Sequence, residues 1–398
     1  MCNSPSVNDV MVTRFDSPRS SPGSKGRVDH LDGIRGIAIL AVCAVHWIGQ
    51  RLPGFEGGYI GVDLFFVLSG FIITTLLVKR MPPYGGFLRN RVRRLYPPLV
   101  GALVGITALA WLLPDSALSP ETSLRHGLVA AVQATSLWVT LGGAPIDPFS
   151  MTWSLSVEWY FYLLWPLAVL RLRRMPAARA TRLALLAAGA VYLAAAVQPG
   201  WWFYYGPLAH TSELLVGAAI AFALAQGRTL RLRIGGRPIL VAAFTFVALW
   251  TALGSDPYSP AYRLVALPLT VGCAVLFILS GYEARPAGPA RLLSWRPLVA
   301  TGRISYSLYL WHTLPIVLLS RNWLGLPSIA VGVIGIGIAL GGTALSYHLL
   351  ERPFLRSRGN ELAVSRGQAP ASSFRPRGAH RRERVTAGVH GHGAVPRP

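Results

Sequence analysis

HLDGIRGIAILAVCAVHWIGQ, residues 30–50, is an apolar run interrupted by two ionisable side chains, Arg35 and His46. Charge inside a membrane span is costly and is usually functional. Residues eleven apart in an α-helix return to within roughly 20° of each other, about 16 Å further along the axis. The stretch therefore reads as a membrane helix carrying both groups on one face.

Composition agrees. Of 398 residues, 52% are hydrophobic and 14% charged, and mean hydropathy is +0.44, more apolar sequence than a soluble core can bury. The net charge of +22 would suggest nucleic acid in a soluble protein. Here the arginines cluster between apolar runs, the pattern of cytoplasmic loops, so no nucleic-acid partner is expected. Cys2, Cys43 and Cys273 have no metal-like or CxxC spacing, so neither a disulfide nor a metal is expected. Arginine in place of lysine, with abundant Ala, Gly and Pro, suggests a high-GC bacterial source.

Residues 1–29 read as a disordered cytoplasmic arm, without the apolar core of a signal peptide. Ten spans follow, near 33–50, 59–78, 97–113, 152–170, 183–198, 207–226, 238–254, 262–281, 300–320 and 328–350, each close to the ~20 residues a bilayer needs. The stretch 127–141 reads as a non-spanning or re-entrant helix, because a crossing there would put the Arg171–Arg182 cluster outside. With ten spans, nineteen Lys and Arg fall in inner connections and four in outer ones. The expectation is an all-α polytopic bundle of about ten transmembrane helices with both termini cytoplasmic. Residues 30–353 form the membrane domain, and 354–398 a disordered basic tail ending in an HGH element read as unstructured.

Several residues could carry chemistry. A neutral His46 can take a proton from an alcohol and return it, although a histidine hydrogen-bonded inside the bundle is the plain alternative. Arg35 cannot lose its charge and needs an anion: Asp32, Glu158 or a substrate phosphate; otherwise it snorkels to the headgroups. Glu158 and Asp63 are the only acids in their spans. Either could pair with a basic residue or polarise the histidine; Glu158 reads as functional, and Asp63 as a cap at a helix start. Trp153, Trp159, Tyr160, Tyr162 and Trp165 read as packing and interfacial anchors. His312 is a second possible base but reads as a hydrogen-bonded core histidine, and adjacent Glu351 and Arg352 read as a structural ion pair or a helix stop before Pro353.

Six stretches in order resemble the acyltransferase 3 family of bacterial integral-membrane O-acyltransferases: LDGIRGIAILAVCAVHW, GVDLFFVLSGFIIT, FLRNRVRRLYP, TWSLSVEWYFYLLWPL, GRISYSLYLWH and the closing ERP. The resemblance implies a multi-pass enzyme of the bacterial cytoplasmic membrane. Such an enzyme moves an acyl group, commonly acetyl from acetyl-CoA, to a hydroxyl of a sugar, a cell-envelope glycan or a secondary metabolite such as a macrolide. It implies His46 as catalytic residue paired with Arg35, Glu158 as the membrane acid, and Arg91 and Arg94 as the basic element that binds the donor. Two departures stand out. Asn90 replaces a frequent arginine, and Trp159 and Tyr160 replace a more polar pair, which implies a less polar acceptor pocket. Many relatives carry a C-terminal SGNH-hydrolase-like domain, and the form expected here is the one without it.

On this reading acyl-CoA lays its phosphates near Arg91, Arg94 and Arg35, with the thioester inside the bundle. His46 then acts as general base or transient acyl acceptor, oriented by Glu158. The rival class is a transporter or flippase of a glycan or lipid-linked intermediate, which would also bury such residues, but no internal repeat supports it. A noncatalytic member of an envelope assembly complex is the third option.

Overall fold

The computed structural model describes residues 22–49, 52–113, 119–143, 147–225, 235–283, 288–315 and 327–353. Residues 1–21 and the expected basic tail after 353 lie outside the described residues. Among the described residues every regular element is helical.

The first helix, α1 (Pro22–Ala44), begins well before the first apolar residue of the span and continues into a π-helical turn, Val45–Gly49. A 3₁₀ turn leads into α2 (Gly61–Arg80). The basic segment and the third expected span, read separately in sequence, form one helix, α3 (Tyr84–Leu112), running through Pro97 and Pro98. Proline is tolerated in membrane helices where neighbouring groups serve the disturbed backbone. Here the Tyr306 hydroxyl donates to the Leu95 carbonyl beside the prolines at 2.7 Å.

Next come two short helices, α4 (Pro120–Ala131) and α5 (Thr135–Thr140), split near Gln133, whose φ is +58°. With 12 and 6 residues, neither approaches the ~20 needed to cross, as expected for 127–141. The chain goes on through α6 (Thr152–Leu172), α7 (Ala177–Ala196), α8 (Gly200–Tyr205), α9 (Pro207–Leu224), α10 (Gly236–Ala252) and α11 (Leu267–Ser280), the last entered through a π-helical turn at Tyr262–Ala266. Short helices α12 (Gly288–Leu292), α13 (Arg296–Arg303) and α14 (Ser305–Trp311) precede α15 (Ser328–Leu345), which ends in a π-helical turn, Ser346–Glu351.

Among the described residues, seven helices are long and apolar enough to cross a bilayer. The protein is a multi-pass, all-α membrane protein.

Two close approaches position the site. Gly70 of α2 packs on the Leu214 carbonyl of α9, and Gly217 of α9 packs on the Val67 carbonyl of α2. A Cβ at either position would collide with backbone. Small residues at such crossings let membrane helices come within van der Waals reach of each other's main chains. Gly302, at the end of α13, likewise rests on the Asp32 carbonyl of α1, which sets Arg303 beside Asp29 and Asp32.

Candidate active site

The six sequence stretches singled out above surround one cavity. Its wall is built from Arg35 of α1; Val62, Phe65, Phe66 and Ser69 of α2; Arg91, Arg94 and Leu95 of α3; Ser154, Glu158 and Tyr162 of α6; Arg303, Tyr306 and Tyr309 of the α13–α14 pair; and Glu351. The cavity encloses about 900 Å³, counting the space at its open mouth.

The basic end of α3 is divided by its helical period. Arg91 and Arg94, three apart, share the inward face, whereas Arg89 and Arg93 are exposed. Arg91 is buried, its guanidinium 5.3 Å from the Phe87 ring centroid and 5.5 Å from that of Tyr162. Stacking on two rings holds the guanidinium in a fixed orientation. Arg94 keeps a buried Nε with no hydrogen-bond partner among the described residues.

Arg303 is committed to acids, its Nη2 donating to Asp29 at 2.6 Å and its Nε to Asp32 at 3.4 Å. Among the described residues Arg35 makes one long ion pair, 3.6 Å from Asp32, the first of the partners expected for it. Its side chain lines the cavity. Glu158 faces the same cavity, near enough to act on Arg35 and Tyr162 through its charge.

His46 stands apart from these groups. It lies at the start of the π-helical turn that follows α1, eleven residues beyond Arg35. The imidazole meets His312 edge to face, with centroids 4.8 Å apart, and the His312 ring is 5.1 Å from that of Tyr309, which lines the cavity. His46 is thus one aromatic layer behind the cavity wall. Among the described residues no hydrogen bond joins it to Glu158, so Glu158 is placed to serve the arginines rather than to orient His46.

Both imidazoles have a defined tautomer. His46 Nδ1 donates to the Val42 carbonyl at 2.8 Å, and His312 Nδ1 to the Tyr309 carbonyl at 2.6 Å. A carbonyl accepts only, so each Nδ1 carries the hydrogen and each Nε2 a lone pair. His312 is fully buried and its Nε2 has no hydrogen-bond partner among the described residues. The Trp47 indole donates to the His312 carbonyl at 2.8 Å, tying the two helices together at this point.

Other expectations change. Glu351 accepts from Ser307 at 2.7 Å and faces the cavity, while Arg352 instead reaches His348 Nδ1 at 3.3 Å. Adjacent residues on a helical turn point in different directions, so the Glu351–Arg352 pair read from sequence does not form. Asp63 does not cap α2. It accepts from the Tyr262 hydroxyl at 2.8 Å in a fully buried site. Tyr162 is part of the cavity as well as packing, whereas Trp159 packs on Tyr96 and Tyr162, and Tyr160 donates to the Gln133 carbonyl. Neither of that pair lines the cavity, so the less polar pocket inferred from them is not supported. Sequence reasoning undervalued His312 and Glu351; their one local signal was position within the GRISYSLYLWH and ERP stretches.

The cavity therefore brings Arg35, Arg91, Arg94 and Arg303 together with Glu158 and Glu351 inside a helical membrane bundle. The chain belongs to the acyltransferase domain family, the acyltransferase 3 group, whose model matches residues 28–348. Among curated relatives it is 29% identical over 361 residues to a putative peptidoglycan O-acetyltransferase, YrhL, of Bacillus subtilis, covering 83% of this chain and 55% of that one. It is 26% identical over 377 residues to O-acetyltransferase OatA of Staphylococcus aureus, covering 87% and 59%. It is also 27% identical over 373 residues to peptidoglycan O-acetyltransferase OatA of Listeria monocytogenes, covering 85% and 57%. The chain therefore spans somewhat more than half the length of these relatives. No solved structure matches it.

Proposed function

We propose that the protein is an O-acetyltransferase of the bacterial cytoplasmic membrane, moving acetyl from acetyl-CoA to a hydroxyl of a cell-envelope glycan. The observation that carries this reading is the convergence of Arg35, Arg91 and Arg94 on one open cavity backed by the His46–His312 pair. The names of the relatives support a glycan acceptor.

Guanidinium groups recognise phosphate through paired, charge-assisted hydrogen bonds, so the three arginines hold the phosphates of CoA. The pantetheine arm runs along the apolar wall of Val62, Phe65 and Phe66 and brings the thioester towards Tyr309. His46 Nε2, carrying the lone pair, takes the proton of the acceptor hydroxyl as its oxygen attacks the thioester carbonyl. The C–S bond breaks, and the CoA thiolate takes up the proton. His312 supports the resulting imidazolium from 4.8 Å away, and Glu158 balances the arginines when the donor is absent.

The test is transfer of labelled acetyl from acetyl-CoA to a peptidoglycan fragment in membranes carrying His46→Ala. The expected result is loss of transfer with CoA binding retained. Undiminished transfer would remove His46 from the reaction.

A further inference from the structure

Behind Phe66, which lines the cavity, lies a second polar cluster that the transfer reaction does not use. Asp63 of α2 and His210 and Glu213 of α9 are 1%, 0% and 0% exposed. His210 and Glu213 are three apart and so share one face of α9, opposite the first turn of α2. The His210 ring is held between Phe66, stacked at 4.7 Å, and Trp153 at 4.8 Å.

The hydrogen bonds define what the cluster lacks. His210 Nε2 lies 2.7 Å from the Tyr204 carbonyl, so it must donate, and Nδ1 of the neutral ring is a bare lone pair. That lone pair points at acceptors, with Glu213 Oε1 at 3.1 Å and Asp63 Oδ1 at 3.9 Å. The second oxygens, Asp63 Oδ2 and Glu213 Oε2, are buried without a hydrogen-bond partner among the described residues. Three acceptors facing one another in a sealed, apolar site repel unless a positive ion lies among them. One proton satisfies the His210–Glu213 contact, and Tyr262 serves Asp63 Oδ1, but both orphan oxygens stay unserved.

We propose that Asp63, His210 and Glu213 bind a divalent cation of the zinc type. Two carboxylates and a neutral imidazole balance its charge, and nitrogen with oxygen donors suits zinc. The three ligand atoms lie within 4.8 Å of one another. Ligand atoms of a tetrahedral zinc stand about 3.3 Å apart, so the 3.1 Å pair already fits and a small rotation of Asp63 closes the remainder. The outer contacts match as well. A metal-bound histidine donates its other N–H to a carbonyl or carboxylate, as His210 does to Tyr204, and Tyr262 holds Asp63 Oδ1. The ion pins α2 to α9 where Gly70 and Gly217 bring them together, and so steadies the cavity wall.

The full chain, purified in detergent through a histidine-free tag and without chelator, is analysed for bound metal. It is then stripped and titrated with Zn²⁺ and with Co²⁺. The expected result is zinc at one per chain, a rise in unfolding temperature when zinc returns to the stripped chain, and the visible bands of tetrahedral Co²⁺. His210→Ala and Glu213→Gln lose all three, while His390→Ala/His392→Ala, which removes the HGH element of the tail, keeps them. A wild-type chain that arrives without metal and takes up neither ion overturns the proposal whether or not the variants fold. Metal that survives His210→Ala but not the tail variant overturns it equally.

Discussion

Phe66 separates two kinds of buried charge. On one side Arg35, Arg91 and Arg94 face a cavity that opens outward; on the other, Asp63, His210 and Glu213 are sealed among aromatic rings. Both groupings would be expensive in an apolar bundle if left uncompensated. The open one can wait for a charged ligand, because water and Glu158 serve it meanwhile. The sealed one has no such recourse and must carry its compensation within the fold. In the proposed scheme, access rather than charge distinguishes the donor site from the cation site.

The contrast can be broken by substitution, and the largest effect is expected at His46. His46→Ala should lower acetyl transfer by about 10²–10⁴-fold, the usual contribution of a positioned base, while CoA binding changes little. Loss of CoA binding in that variant would instead place the donor against the histidines. Next, Arg91→Ala and Arg94→Ala should each weaken CoA binding roughly ten- to a hundredfold, since a charge-assisted hydrogen bond contributes about 1.5–3 kcal/mol. Titration calorimetry on the purified variants measures this. Gly217→Val pushes a side chain into the Val67 carbonyl and should cost at least about 1–3 kcal/mol of stability, read as an earlier thermal transition in detergent. An unshifted transition would show that α2 and α9 are not in tight contact. The smallest effect belongs to Arg89→Ala and Arg93→Ala, on the exposed face of the same helix as Arg91, where CoA affinity should stay within about twofold.

Much of this organisation was legible in the chain. The apolar runs located the helices, and the six ordered stretches located the wall of the cavity before any geometry was known. Contacts between helices were much less legible. Glu351 was assigned to its neighbour Arg352 because adjacency is visible in sequence, while its real partner, Ser307, is 44 positions away. Asp63 looked like a helix cap because its true contacts, Tyr262 and His210, come from distant helices. The π-helical turn at Val45–Gly49 left no mark in the apolar period, so the helix type around His46 was not legible in the sequence. Only the His-x-x-Glu spacing at 210–213 hinted at the second cluster, and its third member is 147 positions earlier.

The central claim is that the inward arginines of α3 recognise the acyl donor. It is tested most directly by the affinity of the purified protein for CoA, compared between Arg91→Ala/Arg94→Ala and Arg89→Ala/Arg93→Ala. The two double variants remove the same charge from the same helix and differ only in the face they clear. The account predicts at least a tenfold loss of affinity, about 1.4 kcal/mol, in the first and near-wild-type binding in the second. Equal losses in both would make the arginines a nonspecific basic surface and contradict it.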